Sequence, residues 1–454
     1  MDTFLIVCPY WISDFKTKMI QRSEQKWWSE QGKPVAVLGG GISGLAACKL
    51  LNQRGLDTQL FDEKTRVFNE SDARDCSFIV RSPGFCPSHE WIRIAVDSKK
   101  TILSEVDLGF SLTKPLEIVA ITGTNGKTSL TSILNHVANN LNLPSLALGN
   151  IGTPISDAVS NNLVEDKIVF HETSSFQALT SNYFKPNSLL WTNFSSDHLD
   201  YHRSEVEYFL AKLKIANQCL CPSQVFLGKS VIESARKFGL ILNPSFRRVD
   251  PLIVDGNDLN LPAFFKTKPQ LENLAFALAW FQEKGVSKTQ FFDHLDGYIP
   301  PKYRLSKTSV VNQVSFWNDS KSTNLSSTLA AVKSLDKKII WIGGGRSKGQ
   351  KLEEFSRTLY PHIHKAFLIG ETANELTELL RSKDVEAVVC QNLEEAIYRA
   401  FKHANSPSDI LFSPGFASFD MFKDYSQRGK SFETIVFDLK TALQKTTKIE
   451  VNFL

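Results

Sequence analysis

The chain has 454 residues, of which 42% are hydrophobic and 22% charged, with a formal net charge of +4. This composition is typical of a globular protein of about three domains, and the spread of its charges argues against a nucleic-acid partner. No stretch reaches the roughly 18 apolar residues of a membrane span, and the seven scattered cysteines contain no C-x-x-C pair. We therefore expect no membrane partner, no disulfide framework and a reducing, cytoplasmic location.

An N-terminal extension, residues 1–32, precedes the first recognisable element. Its apolar stretch at 4–12 is interrupted by Pro9 and follows the acidic Asp2. This pattern argues against a signal peptide. We expect the extension to dock on the first domain.

A glycine-rich fingerprint opens the first predicted domain, residues 33–115. A strand is expected at 35–38, and the glycines at 39–44 fit G-x-G-x-x-G before a helix over 45–53. The next strand, 58–61, ends in Asp62-Glu63, about 20 residues beyond the glycines, as in a Rossmann-type βαβ unit. Any ligand with a diphosphate and a ribose fits this half-site, so the fingerprint alone leaves FAD, NAD and nucleotide-linked substrates open.

A shortened phosphate-binding loop opens the central domain, residues 116–304. The apolar run 116–121 predicts a buried strand, G-T-N-G at 123–126 a sharp turn, and 127–141 an amphipathic helix. Backbone N–H groups and the positive end of the helix dipole would face a phosphate. Lys127 would reach the β- and γ-phosphates, and the Thr128 hydroxyl would bind Mg²⁺. The first glycine of the full pattern is replaced by Ile121, but the flanking elements favour nucleotide binding over an ordinary strand–turn–helix joint.

Polar residues follow two later strands of this domain, predicted at 167–170 and 189–192. Glu172 comes after the first and is well placed to hold Mg²⁺ through water, although a plain helix-start acid is an equal alternative. The D-H-L-D sequence at 197–200 follows the second strand. Such a cluster after an α/β strand indicates a polar site.

An amphipathic helix is predicted over 204–216, with Ser204 as N-cap and Glu207 completing a capping box. Lys212 and Lys214 flank its apolar stripe, and amphipathicity alone predicts that both are solvated. The stripe is expected at Val206, Phe209, Leu210 and Leu213.

The third predicted domain, residues 305–454, alternates strands and helices, which indicates a second small, mostly parallel sheet. Strands are expected at 310–317, 338–342, 366–369, 387–389 and 410–412. Three polar loops follow such strands, at 318–324, 343–349 and 413–420, where ligands of open α/β sheets bind. The fold class is thus α/β, with an N-terminal Rossmann-like domain, a central P-loop ATPase-like domain with a mostly parallel sheet, and a C-terminal Rossmann-like domain.

The motifs, in this order, resemble the Mur ligase family: G-T-N-G-K-T, G-N-I-G, E-T-S-S-F-Q, D-H-L-D, N-D-S-K-S-T-N and S-P-G-F-A-S-F-D. The resemblance implies an ATP-dependent ligase that phosphorylates a carboxylate to an acyl phosphate, which an incoming amine then attacks. The fingerprint and the ending S-F-D-M-F-K-D-Y-S-Q-R-G-K-S-F resemble members that add D-glutamate to UDP-N-acetylmuramoyl-L-alanine in peptidoglycan synthesis. They argue against L-alanine-adding and later-adding members and against folylpolyglutamate synthetase. The resemblance implies small-molecule substrates only, and we expect a monomer.

The resemblance also implies roles for individual residues. ATP contacts are implied at Gly123, Thr124, Asn125, Gly126, Lys127, Thr128, Asn273, Arg304, Asp319 and Lys321. Mg²⁺ ligands are implied at Thr128, Glu172, His198 and Lys212, where Lys212 is carbamylated by CO₂ and is catalytic together with Lys127 and His198. Nucleotide-sugar contacts are implied at Ser43, Asp62, Glu63, Gly84 and Asn150, and D-glutamate contacts at Thr323, Lys348, Ser418 and Tyr425. The spacing from His198 leaves Lys214 as the alternative to Lys212.

Two functions from other classes compete with a ligase. A flavin or nicotinamide oxidoreductase would explain the first fingerprint, and a P-loop switch protein would explain the phosphate loop. Neither explains the polar loops of the third domain. The chain also departs from the usual family pattern at His171, Thr173, Pro269-Gln270 and Tyr425.

Overall fold

The computed structural model describes residues 32–150, 152–254, 261, 263–335, 339–349 and 351–451. The predicted extension up to residue 31, Ile151 of G-N-I-G and Lys338 of a predicted strand lie outside the described residues. Three sheets with flanking helices form an N-terminal, a central and a C-terminal unit. This confirms the α/β fold class, while the exact domain boundaries stay a prediction.

The N-terminal unit holds a four-stranded parallel sheet in the order β2-β1-β3-β4. Strand and helix alternate: β1 Val35–Leu38, α1 Ile42–Gln53, β2 Thr58–Phe61, α2 Glu70–Asp75, β3 Ile79–Arg81, α3 Glu90–Asp97, β4 Ile102–Ser104 and α4 Glu105–Ser111. The apolar β1 is buried along its whole length, as expected for a strand covered on both faces. The glycine-rich turn between β1 and α1 therefore lies at the carboxyl end of the sheet.

The central unit holds a six-stranded parallel sheet in the order β10-β9-β8-β5-β7-β6. Its strands are β5 Glu117–Thr122, β6 Ser145–Gly149, β7 Ile168–Glu172, β8 Ser188–Trp191, β9 Val225–Leu227 and β10 Arg247–Arg248. Its helices are α5 Lys127–Asn140, α6 Ile155–Ser160, α7 Ser175–Thr180, α8 Glu205–Gln218, α9 Lys229–Lys237, α10 Lys268–Glu283 and α11 Lys288–Asp293, with short 3₁₀ helices at Pro222–Gln224, Pro251–Ile253 and Ala263–Lys266. Because β5 lies between β7 and β8, the loops that follow these three strands are neighbours.

The C-terminal unit holds a second six-stranded sheet, in the order β11-β12-β16-β13-β14-β15. Its strands are β11 Ser306–Val311, β12 Val314–Asn318, β13 Ile339–Gly343, β14 Ile363–Leu368, β15 Glu386–Val389 and β16 Ser408–Phe412. Its helices are α12 Leu325–Lys333, α13 Leu352–Leu359, α14 Ala373–Arg381, α15 Leu393–Lys402 and α16 Tyr425–Val451, with a 3₁₀ helix at Tyr360–His362. All pairs are parallel except β11 with β12.

The prediction of one strand over 310–317 is wrong. The chain reverses at Asn312 and Gln313, whose φ angles are 47° and 63°, and β11 pairs antiparallel with β12. Two successive positive φ angles are those of a type I′ hairpin turn, in which asparagine is favoured. Without a glycine in the turn, the flanking apolar residues read as one continuous strand.

The hydrophobic core is continuous between the first two units. One cluster of buried side chains includes Val37 of β1 and Ile118 of β5, and at the joint Phe110 of α4 stacks on Phe184 with ring centres 4.9 Å apart. Separate clusters cover the two faces of the C-terminal sheet. Within the described ranges, no helix combines the length and apolar character needed to cross a bilayer.

Candidate active site

The phosphate loop follows β5 and is flanked by the ends of β7 and β8. Gly123 and Gly126 have φ angles of +146° and +84°, which glycine adopts far more readily than other residues. Gly126 is the N-cap of α5 and has no side chain to occupy the first N–H groups of the helix. The loop can therefore present backbone N–H groups to an anion.

Lys127 folds back over this loop. Its amine donates to the carbonyl oxygens of Gly123 and Thr124, each at 2.9 Å. Burial lowers the pKa of Lys127, and the carboxylates of Glu172 and Asp197 act in the opposite direction. A cation held by two neutral carbonyls can be redirected to a phosphate without losing a stronger partner.

Glu172 ends β7 and is buried beside the loop. Its Oε1 accepts from Nδ2 of Asn150 at 3.0 Å, whereas Oε2 is buried without a hydrogen-bond partner among the described residues. Burial acts to raise the pKa of this carboxyl, but the charges of Lys127 and Lys321 outweigh it and hold the pKa below its usual value. Asn150, predicted on the nucleotide-sugar side, thus lies at this ionised carboxylate.

The side chains around Glu172 fit Mg²⁺, because an ionised carboxylate with one unpaired oxygen is a ligand that this ion accepts. The Thr128 hydroxyl is a second oxygen, which accepts from Nζ of Lys321 at 3.1 Å. Across the described ranges, no three His, Cys, Asp or Glu side chains cluster as a complete metal site. A partial set is usual for Mg²⁺, which completes its shell with water and substrate phosphates.

The loop after β8 turns sharply at His198, whose φ is +55°. The His198 N–H donates to Oδ1 of Asp197 at 2.9 Å, and its Nε2 lies 3.7 Å from Oδ2. Phe176 packs against the imidazole with ring centres 4.9 Å apart. Burial lowers the pKa of His198 to about 3. The charge of Asp197 acts to raise this pKa, and the charges of neighbouring lysines lower it further. The ring is therefore neutral near pH 7 and can act as a ligand or acceptor.

The expectation that Lys212 is solvated is wrong, since only 1% of the residue is exposed. Its amine donates to Oγ1 of Thr122 at 3.2 Å and to the Gly123 carbonyl at 3.0 Å, and lies 4.9 Å from the Tyr208 ring centre. Burial, together with the charge of Lys127, lowers the pKa of Lys212 well below its ordinary value. Lys212 thus offers, beside the phosphate loop, an amine that loses its proton more readily than an ordinary lysine.

Lys214 lies outside this cluster. Its amine donates to the Leu179 carbonyl and to Oδ1 of Asn182, both at 2.8 Å, at the end of α7. Two residues along a helix point in different directions, so the lysine at the phosphate loop is Lys212.

Two details of the prediction for α8 are also wrong. Val206 and Leu210, expected in the apolar stripe, are 38% and 43% exposed. Ser204 does cap the helix by accepting from the Glu207 N–H, but its own N–H donates to the His202 carbonyl, so the capping box is half formed. The buried face is rotated toward Lys212 because the helix packs against the phosphate loop.

Two adjoining cavities, of about 100 and 530 Å³, lie between the central and C-terminal units beside the phosphate loop. The smaller cavity is lined by three of the four predicted ATP contacts outside the phosphate loop, namely Asn273, Arg304 and Asp319. The fourth, Lys321, does not line it. Nε of Arg304 is buried and has no partner within the described residues. Burial raises the pKa of Asp319 to about 6, against the effect of hydroxyls donated by Ser322 and Ser413. This cleft offers the unpaired Nε–H of Arg304 and the carboxyl group of Asp319 to a nucleotide.

Lys321 joins the C-terminal unit to the phosphate loop through Thr128. Its Nζ also lies 4.9 Å from the centre of the Tyr425 ring, a cation–π distance. Burial, together with the charge of Arg304, lowers the pKa of Lys321 to about 7. Tyr425, which departs from the usual phenylalanine, therefore still provides an aromatic face at this amine.

Lys348 lies close to Thr323 and to the central unit, with 14% of its side chain exposed. Its Nζ donates to Oγ1 of Thr323 at 3.3 Å and lies 3.7 Å from Oδ1 of Asp197. Ser418 is buried in the loop after β16, which a bridge between Arg346 and Ala417 joins to the Lys348 loop. The predicted amino-acid contacts thus come from neighbouring loops of one sheet edge.

In the N-terminal unit, the Asp62 carboxylate accepts hydrogen bonds from main-chain N–H groups, one of them in the glycine fingerprint. Its Oδ2 accepts from the Gly40 N–H at 3.0 Å and its Oδ1 from the Lys64 N–H at 3.1 Å, and these bonds lower its pKa. Glu63 pairs with Nε2 of His89 at 2.9 Å. Ser43 lies in the first turn of α1 and Gly84 in the turn after β3, so the predicted nucleotide-sugar contacts other than Asn150 lie at the carboxyl edge of this sheet.

Sequence reasoning assigned no role to Asn324, Tyr201 or Arg428. The Tyr201 hydroxyl can donate to the carbonyls of Pro83 and Phe85, at 3.1 and 2.9 Å, and so joins the D-H-L-D loop to the N-terminal unit. Arg428 is buried and donates to main-chain oxygens of Ser320 and Phe416 at 2.8 and 3.1 Å, which holds two ligand loops together. Asn324 and Arg428 lie inside motifs that the sequence analysis quotes, and Tyr201 directly follows the D-H-L-D motif, so proximity to a motif was the available signal.

Comparisons with known proteins agree with this geometry. Residues 121–230 match the Mur ligase middle domain, 303–416 the Mur ligase glutamate ligase domain, and 37–85 an NAD(P)-binding Rossmann-like domain. The UDP-N-acetylmuramoylalanine--D-glutamate ligase of Protochlamydia amoebophila is 30% identical over 442 residues, covering 89% of this chain and 98% of that one. The enzyme of that name from Caldanaerobacter subterraneus is 30% identical over 454 residues, covering 90% and 99%.

A solved structure shares the fold. The UDP-N-acetylmuramate-alanine ligase of Thermotoga maritima matches with a TM-score of 0.55 at 17% identity, over 90% of this chain and 100% of that one. A sequence identity of 17% shows only that the fold is shared. Relatives that are 30% identical over nearly their whole length show the family. The chain therefore belongs to the Mur ligase family and is an ATP-dependent ligase of peptidoglycan synthesis.

Proposed function

We propose that this ligase adds D-glutamate to UDP-N-acetylmuramoyl-L-alanine and releases ADP and phosphate. The observation that carries the proposal is that the predicted phosphate-binding side chains and a predicted amino-acid-binding side chain face the same cleft. Lys127, Thr128 and Glu172 surround the phosphate loop, and Lys348 approaches Asp197 from the other side of the cleft. The relatives named UDP-N-acetylmuramoylalanine--D-glutamate ligase, which match over nearly their whole length, support the same choice of substrates.

The first half of the proposed reaction activates the substrate carboxylate. A carboxylate is a poor electrophile, so its oxygen attacks the γ-phosphorus of ATP, the bond to the β-phosphate oxygen breaks, and ADP leaves with that electron pair. Lys127, Lys321 and Arg304 neutralise the charge on the phosphate oxygens during this transfer. The backbone N–H groups at the start of α5 hold the same oxygens in place.

In the second half, the amine of D-glutamate attacks the acyl carbon of the acyl phosphate, and phosphate leaves. The amine must lose its proton to form the amide. The neutral His198 ring near the reacting centre can orient the amine by accepting a hydrogen bond from it. Its pKa of about 3 makes it a weak base, so the departing phosphate is the better acceptor of the proton.

Mg²⁺ would be held by Glu172 and Thr128, with His198 and a carbamylated Lys212 at a second position. When bound, Mg²⁺ supplies positive charge to the phosphate oxygens. A neutral amine is the form of lysine that reacts with CO₂: its nitrogen bonds to the CO₂ carbon and loses a proton, which gives a carbamate. The low pKa of the buried Lys212 amine supports this assignment, because a carbamate would replace a weak cation by an oxygen ligand.

D-Glutamate is proposed to bind at the sheet edge formed by Thr323, Lys348, Ser418 and Tyr425. Its two carboxylates need two separated donors, and Lys348 is a cation already placed next to the Thr323 hydroxyl. Ser418 lies on the joined neighbouring loop. The amine can then project toward Asp197 and His198.

The UDP moiety is proposed to bind the N-terminal fingerprint, at Ser43, Asp62, Glu63 and Gly84, without a redox cofactor. A diphosphate fits the glycine turn and the start of α1 in the same way as that of NAD. The match to an NAD(P)-binding fold describes that shared turn. The monomeric state and the cytoplasmic location stay predictions.

The direct test measures phosphate release from ATP with UDP-N-acetylmuramoyl-L-alanine and a panel of amino acids. D-Glutamate should give the highest kcat/KM, and omission of either cosubstrate should abolish release. Faster turnover with L-alanine or another amino acid than with D-glutamate would overturn the acceptor assignment while leaving the family intact.

A further inference from the structure

Asn324 lies where the C-terminal unit meets the phosphate loop. It precedes α12 and is buried, with 4% of the residue exposed. Its Oδ1 accepts from the Ser327 N–H at 2.9 Å, so it is the N-cap of this helix. The cap uses only the oxygen of the amide, and the nitrogen is directed elsewhere.

The Asn324 nitrogen reaches across the cleft to the central unit. Nδ2 donates to Oδ2 of Asp197 at 2.8 Å and lies 3.3 Å from Oδ1 of Asn125 in the phosphate loop. Ser326 closes the same junction, because its Oγ lies 2.5 Å from Nδ2 of Asn125 and 3.1 Å from Oγ of Ser195. Asn324 of the C-terminal unit thus contacts both the phosphate loop, at Asn125, and the D-H-L-D loop, at Asp197.

Asp197 is the centre of this junction. Its Oδ1 accepts the His198 N–H at 2.9 Å and lies 3.7 Å from Nζ of Lys348. Lys348 in turn donates to Thr323, the residue directly before Asn324. The bond from Asn324 to Asp197 therefore fixes how far the amino-acid loops stand from the loop that carries His198.

We propose that Asn324 is a positioning residue of the ligase reaction, whose side-chain amide seats the amino-acid-binding loops of the C-terminal unit against Asp197 and the phosphate loop. It touches no reacting atom in this role. It sets the separation between the bound amine and the activated carboxyl group, on which the rate of an aligned reaction depends steeply. This inference rests on the proposed function for the role of Lys348, but its geometry does not depend on which amino acid binds.

The two functions of the Asn324 side chain can be separated by substitution. Asn324→Ser keeps a good N-cap oxygen but removes the amide donor to Asp197. Asn324→Asp also keeps the cap, but places a second carboxylate where the amide was, 2.8 Å from that of Asp197, so the units repel each other. Asn392→Asp is the matched control, because Asn392 caps α15 by accepting from the Glu395 N–H at 2.9 Å.

The experiment measures kcat and each KM, the thermal unfolding midpoint, and the radius of gyration by small-angle X-ray scattering. Asn324→Ser should lower kcat by about 10- to 150-fold, the range for a hydrogen bond to a charged group, and Asn324→Asp by more. The KM for the UDP-linked substrate should stay within about twofold, since the N-terminal unit binds it. Asn324→Asp should have a larger radius of gyration than the wild type, and Asn392→Asp should match the wild type throughout.

Wild-type kcat in Asn324→Ser and Asn324→Asp would overturn the inference. So would a loss of activity in Asn324→Ser that is matched by a lower unfolding midpoint, because the role would then be structural. An unchanged radius of gyration in Asn324→Asp would show that the amide does not hold the units together. Failure of the proposed acceptor is distinguishable, since it would appear as poor turnover of D-glutamate in the wild type itself.

Discussion

Lys212 offers the sharpest test of the active-site chemistry. If its amine carries a carbamate, Lys212→Ala removes both the oxygen ligand and the side chain of a residue that is only 1% exposed. Loss of one preorganised electrostatic contact costs about 10²–10³ in kcat, so we expect a fall of at least about 100-fold. The two bonds to Thr122 and Gly123 would also be lost, so the unfolding midpoint must be measured alongside the rate.

Chemical rescue separates the carbamate from these structural effects. Lys212→Ala leaves a cavity beside the phosphate loop into which acetate or another small carboxylate can enter, and activity should be partly restored by it. Lys212→Met fills the same volume with an apolar chain, so it should be inactive and not rescued. Lys214→Ala removes only bonds to Leu179 and Asn182 and should stay within about threefold of wild type, as expected for a site away from the reaction.

A spectroscopic assay makes the result independent of turnover. Wild-type protein equilibrated with ¹³C-labelled CO₂ should show a carbamate resonance that is absent from Lys212→Ala and present in Lys214→Ala. Full activity in Lys212→Ala, or rescue of Lys214→Ala in its place, would refute the assignment. A carbamate signal that persists in Lys212→Ala would place the modification on another amine.

Four further outcomes are expected. Lys127→Ala should lower kcat by at least about 100-fold, because it removes the positive charge that stabilises the transferring phosphoryl group. Turnover near that of the wild type would contradict this. Asp62→Ala combined with Glu63→Ala should weaken UDP-substrate binding in calorimetric titration, whereas stoichiometric NAD or FAD binding by the wild type would contradict a UDP site. Lys348→Ala should raise the KM for D-glutamate by roughly 10- to 150-fold and leave those for ATP and the UDP-sugar nearly unchanged; equal increases for all three would contradict its role. Burial lowers the pKa of His171 to about 4, so the unfolded chain, with histidine near 6.5, binds a proton that the folded chain excludes, and stability falls as pH drops from about 6.5 to about 4. His171→Phe should reduce that loss by up to about 3 kcal/mol in unfolding measurements across this range, and an unchanged pH dependence would contradict the buried neutral ring.

The fold was predictable because its signals are local. A short apolar run, a glycine turn and a helical pattern specify β5, the phosphate loop and α5 without knowledge of the rest of the chain. The order of strands and helices then limits the topology, since parallel crossovers are right-handed and place polar loops on one edge. The hairpin at Asn312 was missed for the converse reason, because its turn carries no glycine signal.

The environment of each lysine was not predictable from local sequence. Lys212 and Lys214 stand two positions apart on α8, and hydrophobic periodicity treats them as equivalent flanks. Their difference comes from β5, which approaches only the side of the helix that bears Lys212. Likewise, nothing near Asn324 in the sequence shows that Asp197, 127 positions away, accepts its amide proton.

The balance of charge in the cleft explains how one site can serve a polyanionic substrate. Among the described residues, the cleft holds four amines and the Arg304 guanidinium against the carboxylates of Glu172, Asp197 and Asp319. The amines are those of Lys127, Lys212, Lys321 and Lys348. Burial and the charges of neighbouring cations lower the pKa of Lys127, Lys212 and Lys321, so each of these amines gives up its proton more readily than an ordinary lysine. A bound triphosphate reverses that repulsion and favours the charged form of each amine near it. A polyanionic nucleotide would therefore strengthen the charge of the amines that bind it. Lys321, which donates to Thr128, adds an amine of the C-terminal unit to that of Lys127 at the phosphate loop.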